Sequence, residues 1–176
     1  MNVYYSLLIC VWFLGLSTEP TPPASENPFA QFFGEWTLQD DKFQQVWDGE
    51  TVETLEIKNH HTKCEAINTN KSVLCVVDAG DLKGHILWTL NSHTSDVHHL
   101  SHFGEARNGV GVGSLNEAGD LTLRVSFQGE PEGSYRIYEY KWLSADAYTM
   151  MSRQYNQNGE LTGNWYGGTF VRFSGD

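Results

Sequence analysis

Phe32-Phe33-Gly34-Glu35-Trp36-Thr37-Leu38 is the stretch on which the fold turns. Side chains alternate along a strand, so Gly34, Trp36 and Leu38 share one face, and a large indole is carried inward beside a residue with no side chain. That pairing suits the crowded floor of a closed β-barrel, and the stretch marks where the barrel begins. Just upstream, Asn27 followed by Pro28 forms an N-cap with proline at the first helical position. A turn or two of helix over Phe29 to Phe33 is therefore predicted, its phenylalanines placed to plug one barrel end.

Downstream of Gly34 no window sustains a helical period. Short runs rich in Val, Ile, Thr and aromatics alternate with turn residues, which predicts an all-β chain of about ten short strands. These fall over residues 34–47, 52–66, 72–78, 85–91, 97–104, 109–116, 120–128, 134–143, 147–156 and 163–173. Tight connections such as Asp48-Gly49 and Gln157 to Glu160 make sequential strands neighbours, giving an up-and-down antiparallel meander. A meander removes its exposed edges by closing on itself, so a barrel is expected over residues 28–176, with a two-sheet sandwich as the structural rival.

Residues Leu7 to Leu16 form a short apolar run, and Gly15 and Ser17 stand where a cleavage site wants small residues. Residues 1–17 therefore read as a secretory signal peptide, too short to span a bilayer, and no membrane insertion is expected after cleavage. Residues 18–27 are polar and Pro-rich, a disordered leader. With Cys10 removed, Cys64 and Cys75 remain. If the hairpin loop centres on Thr69-Asn70, the two face each other across strands, and in an exported chain that register predicts a disulfide. Asn70-Lys71-Ser72 at the hairpin tip is an N-glycosylation sequon. The formal charge of -11 argues against nucleic acid and anionic membranes as partners. Oligomeric state leaves no mark in the sequence.

The later strands say most about the interior. Arg136, Tyr138, Tyr140 and Trp142 alternate with Ile137, Glu139, Lys141 and Leu143. On the next strand Tyr148, Met150, Ser152 and Gln154 alternate with Ala147, Thr149, Met151 and Arg153. Glu139, Lys141 and Arg153 require water, so the even-numbered face turns inward, joined by Leu121, Leu123, Val125 and Phe127. An inner wall of aromatic and aliphatic groups with a few polar ones is the composition of a ligand pocket, and Trp88 is expected to share it. Arg136 and Tyr138 point the same way, and together they would grip a carboxylate; the alternative places Arg136 at the rim in water.

Seven histidines are present, His93, His98, His99 and His102 close together. His98 and His102 share a strand face with Leu100, and hairpin pairing would set them beside Ile86, Trp88 and Leu90, where neutral imidazoles would take a transition metal or a haem iron. Four residues along a strand is roughly 13 Å, too far for the two to share one ion, although His93 and His98 would meet across the loop. The glycines of Asn108-Gly109-Val110-Gly111-Val112-Gly113 precede no helix, so they do not build a phosphate loop; they relieve a bulky neighbour or permit bending. No nucleophile elbow, His-Glu-x-x-His, paired-cysteine zinc set or basic aromatic strip is present.

Gly34-x-Trp36 resembles the opening signature of the calycins, the group holding lipocalins and fatty-acid-binding proteins. In that group the Trp packs against an Arg on the last strand, and Arg172, on a face with Tyr166, Gly168 and Phe170, is the matching residue. The ending Trp165-Tyr166-Gly167-Gly168-Thr169-Phe170-Val171-Arg172 and the preceding Asp146-Ala147-Tyr148-Thr149-Met150 look most like a lipocalin-like domain family of unknown function. No Thr-Asp-Tyr motif, helix after the last strand or helical lid accompanies them. Fold analogy does not select a function; the inward aromatic face over residues 134–143 and 147–156 points to a secreted, non-enzymatic barrel holding a small, mainly apolar ligand, in one version a carboxylic acid, without a cofactor. The alternatives are a barrel enzyme of isomerase or lyase type, and a haem or metal carrier through His98 or His102.

Overall fold

The computed structural model describes residues 27–67 and 71–175. Residues 1–17, the leader up to residue 26 and the sequon residue Asn70 lie outside the described residues. Twelve antiparallel strands form one sheet: β1 (Gly34–Leu38), β2 (Lys42–Val46), β3 (Glu53–Glu56), β4 (His61–Ala66), β5 (Ser72–Ala79), β6 (Leu82–Leu90), β7 (Val97–Phe103), β8 (Arg107–Leu115), β9 (Leu121–Phe127), β10 (Tyr135–Ser144), β11 (Ala147–Tyr155) and β12 (Leu161–Arg172). From β4 to β12 each strand pairs with the next in sequence, and β1 fills the remaining place, with Gly34 opposite Cys64 on β4 and Trp36 opposite Arg172 on β12. Ten strands thereby close into a barrel, and β2 and β3 are additional. Among the described residues no helix is long and apolar enough to cross a membrane.

The closure point is built around Gly34 and Arg172. Gly34 sits at φ +110°, and a Cβ there would lie 2.6 Å from the Arg172 guanidinium, so the missing side chain is the space the arginine occupies. Arg172 donates to the carbonyls of Phe33 and Gln31, and its Cζ stands 4.0 Å from the centre of the Trp36 ring.

Two of the expected long strands are broken. Residues 34–47 divide at Asp40 and Asp41, both left-handed at φ 55° and 56°, a pair of conformations that no strand accommodates. Residues 52–66 divide likewise, with Asn59 at φ 58° between β3 and β4. Asp and Asn tolerate this region because their short polar side chains compensate locally. The helix expected before β1 is a single 3-10 turn, Ala30–Phe32, and Asn27 accepts from the Phe29 N–H at 2.9 Å to start it. Asn27 is itself buried and donates to the Ser72 carbonyl, so the end of the leader is anchored to the barrel.

Cys64 and Cys75 are bonded, directly opposite each other on β4 and β5. Their separation of 11 residues corresponds, in the chain-entropy account, to about 2–3 kcal/mol. Leu121, Leu123 and Val125 of β9 are wholly buried, while Thr122, Arg124 and Ser126 between them are exposed, the strict alternation of a strand with one wet face.

Candidate functional site: the barrel cavity and its mouth

One end of the barrel is sealed by aromatic rings. Phe32 lies between Trp88, Trp142 and Tyr148, at ring separations of 5.1, 4.8 and 5.6 Å. The Trp36 indole N–H donates to the Phe32 carbonyl at 2.8 Å, tying the plug to the first strand. Above this floor the barrel is hollow, with a cavity of about 390 Å³. That is within the size range of small-molecule sites, and the walls are mostly aliphatic and aromatic. At the far end Trp47, Leu55 and Leu82 line the cavity and are also 46%, 36% and 48% exposed, which identifies that end as the mouth.

Of the expected ligand-contacting residues, Trp88, Tyr138, Tyr140, Tyr148 and Met150 line the cavity. Trp142 does not: its ring is spent on Phe32 and Trp36, and its N–H on the Gly119 carbonyl. Arg136 does not line it either, and it is not at the rim in water. It faces inward with 0% of its surface exposed, and its Nε donates to Glu130 at 2.7 Å. Among the described residues its two terminal nitrogens have no hydrogen-bond partner, but its Cζ lies 4.9 Å from both the Trp47 and Tyr166 ring centres, so the rings cover the guanidinium.

Glu130 is shared. The oxygen that accepts from Arg136 also accepts from Arg107 at 3.1 Å, and its other oxygen accepts from Gln154 at 3.3 Å. Two guanidinium ions thus share one carboxylate, leaving one positive charge in excess beside the mouth. Arg107 is the member that reaches the cavity, and it also donates to the Tyr166 hydroxyl at 3.4 Å. Tyr166 in turn shares a hydrogen bond with Tyr138. Burial, reinforced by Tyr166, pushes the Tyr138 phenol far above its ordinary range, so it stays neutral.

Two neutral imidazoles face inward. The Trp88 indole N–H can only donate, so at 3.0 Å it makes Nδ1 of His99 an acceptor; the proton then sits on Nε2, which donates to Ser101 at 2.9 Å. His60 places Nε2 3.3 Å from the Thr62 hydroxyl, and its buried Nδ1 has no partner among the described residues. Burial lowers both histidines from 6.5 to about 4; at His60 the neighbouring His61 adds to the effect. Deeper, the Tyr140 and Tyr148 hydroxyls face the cavity, and among the described residues neither makes a hydrogen bond. Burial raises both phenols, so they too are neutral hydrogen-bonding groups.

His98 and His102 are not beside Trp88. The β6–β7 register sets His99 opposite Trp88, His98 opposite Thr89 and His102 opposite His85, so His99 and Ser101 point inward and His98, Leu100 and His102 point outward. The physical reason is the Trp88 N–H, which needs a buried acceptor that Leu100 cannot provide. Gly109 on the neighbouring strand completes the arrangement, since a Cβ there would come within 2.5 Å of the Ser101 hydroxyl and 2.6 Å of the Phe127 ring. Among the described residues no group of three or more His, Cys, Asp or Glu is disposed to hold a metal ion.

Arg107, Glu130, His60, His99 and Tyr166 were not among the residues expected to form the site. Arg107 opens β8 and Glu130 lies 23 residues on, in the loop after β9, a pairing that no local pattern signals. Phe43 and Trp47 were hidden by the bend at Asp40 and Asp41, beyond which the alternation restarts on β2. No protein-family model matches the chain, and no curated protein matches it. Among solved structures it is similar to EF1p2_mFAP2b bound to DFHBI, at 8% identity and a TM-score of 0.37, over 85% of this chain and 100% of that one. It is also similar to a protein of unknown function of the DUF3598 family from Nostoc punctiforme PCC 73102, at 13% identity and a TM-score of 0.22, over 85% of this chain and 99% of that one.

Proposed function

We propose that this protein is a secreted, lipocalin-like carrier that holds a small, mainly apolar molecule bearing one acidic group, with the acidic end at Arg107. The observation that carries the reading is the cavity of about 390 Å³, apolar along its depth and bordered at its mouth by one uncompensated guanidinium. An apolar body gains by leaving water, and a carboxylate beside Arg107 and Tyr166 gains charge-assisted hydrogen bonds in a partly dry setting. The hydroxyls of Tyr140, Tyr148 and Ser101 would orient a polar substituent deeper inside. Export is supported by the Cys64–Cys75 bond, since disulfides persist in oxidising compartments, and by the signal-like residues 1–17; a glycan on Asn70 belongs to the same reading. The calycin-like Trp36–Arg172 contact supports the lipocalin-like assignment.

Among the described residues the Ser–His contact that lines the cavity does not form an activated nucleophile. His99 donates to Ser101, so it holds no lone pair toward the hydroxyl and cannot act as its base. The test is a fluorescence titration with a dansylated medium-chain fatty acid and with its methyl ester. The acid is expected to bind at one site per chain, and Arg107→Gln to weaken the acid by about 10- to 100-fold while leaving the ester unchanged. Ala79→Trp, which narrows the mouth, is expected to weaken both. Equal effects of Arg107→Gln on acid and ester would overturn the acidic assignment, and full binding by Ala79→Trp would overturn the cavity as the site.

A further inference from the structure

Apart from the cavity, we infer that the outer face of the barrel carries a binding site for a divalent transition-metal ion, held by the imidazoles of His85 on β6 and His102 on β7. The two residues are direct cross-strand partners, and their ring centres are 5.7 Å apart. Two imidazoles bound to one ion at about 2.0–2.1 Å per nitrogen have ring centres roughly 4.5–6 Å apart, so the observed spacing needs little adjustment.

The tautomer of His102 is prepared for this role. Asn108, its partner on β8, donates its amide N–H to Gln128 at 3.0 Å, and its carbonyl oxygen faces Nδ1 of His102 at 2.6 Å. That oxygen can only accept, so the proton of His102 lies on Nδ1 and the lone pair on Nε2. Among the described residues Nε2 of His102 makes no hydrogen bond, and neither does the His85 ring. A carbonyl that fixes the remote nitrogen of a histidine is the usual outer support of a metal-ligating imidazole. It reaches His102 along a relay crossing three strands, Gln128 to Asn108 to His102.

The surroundings are compatible with a bound cation. Val76 is the β5 partner of His85, so the immediate neighbour on that side is uncharged; Lys63 beyond it is paired with Glu65 at 2.7 Å, and the nearby Lys83 is tied to Asp78 at 2.9 Å. The chain's net charge of -11 raises the local concentration of cations. Nitrogen donors from imidazole select Cu²⁺, Ni²⁺ or Zn²⁺ over Mg²⁺ or Ca²⁺, and the remaining coordination positions stay open to water. The site differs from a His98–His102 pairing, because those two lie four residues apart on one strand and cannot share an ion.

The test is a calorimetric titration of the full chain with Cu²⁺, read in parallel by electron paramagnetic resonance. The wild type is expected to bind one ion with nitrogen coupling in the spectrum. His85→Gln and His102→Gln should each weaken binding by at least about tenfold, because each removes one of two linked ligands. His98→Gln should leave it unchanged. Asn108→Leu should weaken binding, and Asn108→Asp, which keeps an acceptor toward Nδ1, should restore it, a pattern that loss of folding alone would not produce. Wild-type affinity in both His85→Gln and His102→Gln, or no binding by the wild type, overturns the proposal. Loss of binding in His98→Gln also overturns it, because the ligands would then lie elsewhere.

Discussion

Glu130→Gln should be among the most damaging single substitutions in this barrel. The wild-type carboxylate accepts from Arg136 at 2.7 Å and from Arg107 at 3.1 Å, with side-chain exposures of 0% for Arg136 and 10% for Glu130. Glutamine keeps the shape and one acceptor but removes the negative charge that, among the described residues, alone pairs with a wholly buried guanidinium. Breaking a buried pair by removing one partner costs about 3–5 kcal/mol, mostly the penalty of the charge left behind. For a chain of this length that lowers the thermal midpoint by about 6–20 °C. Arg136→Met tests the sign of the argument: it removes the stranded charge while leaving Glu130 to Arg107, which is partly exposed and can draw on water. The double substitution should therefore be more stable than Glu130→Gln alone, although the contacts of Arg136 with Trp47 and Tyr166 are lost as well. Urea unfolding of the wild type, both single variants and the double variant completes the cycle. A cost below about 1 kcal/mol for Glu130→Gln, or further destabilisation on adding Arg136→Met, would refute the reasoning.

Acid should weaken the fold before it affects ordinary carboxylates. His60 and His99 titrate at about 4 when folded and at 6.5 in the unfolded chain, so between those values the unfolded state binds more protons and stability falls as pH falls. The loss approaches about 1.4 kcal/mol per pH unit for each histidine, ending near the folded value, and is absent above the unfolded one. Urea midpoints measured across this range check it, and His99→Gln should flatten the slope by about half. Gly34→Ala should cost about 1–3 kcal/mol, from the backbone at φ +110° and from the methyl meeting the Arg172 guanidinium; an unchanged urea midpoint would show that the arginine can move aside.

What the sequence discloses depends on how local the cause is. The meander, the inward face of β9 to β11 and the Cys64–Cys75 register were all legible, because each follows from an alternation or a hairpin turn a few residues long. On β7 the same rule misleads: Leu100 is 51% exposed and His99 is buried, the reverse of what hydrophobicity assigns. The deciding contact, from Trp88 to His99, crosses two strands and depends on a register set by the turn at Asn91, whose carbonyl accepts from Ser95 and whose side chain accepts from His93. For Arg136 alternation leaves two places, the inner face beside Tyr138 and the rim in water, and the partner that holds it buried comes from a loop that no strand pattern reveals. Without Glu130 the sequence offers only a choice between a ligand's carboxylate and water, and the fold supplies a third answer from its own chain.

The bend at Asp40 and Asp41 connects that third answer to the mouth of the cavity. β1 and β2 pair with successive parts of one edge of β12, at Phe170 to Arg172 and at Trp165 to Gly167. At the plugged end β1 also pairs with β4, and the ring of strands is complete. Past the bend β2 pairs with β3, and among the described residues β3 pairs with no other strand, so the ring stands open between β3 and β4. The same departure carries Phe43, Trp47 and Leu55 over the opening, and Trp47 there covers the guanidinium of Arg136. Two left-handed aspartates therefore both open the wall and supply the aromatic that shields the buried charge. A straight strand over residues 34–47 would close the ring and leave Arg136 without one of its two covering rings, so the entrance and the buried ion cluster depend on one local feature of the backbone.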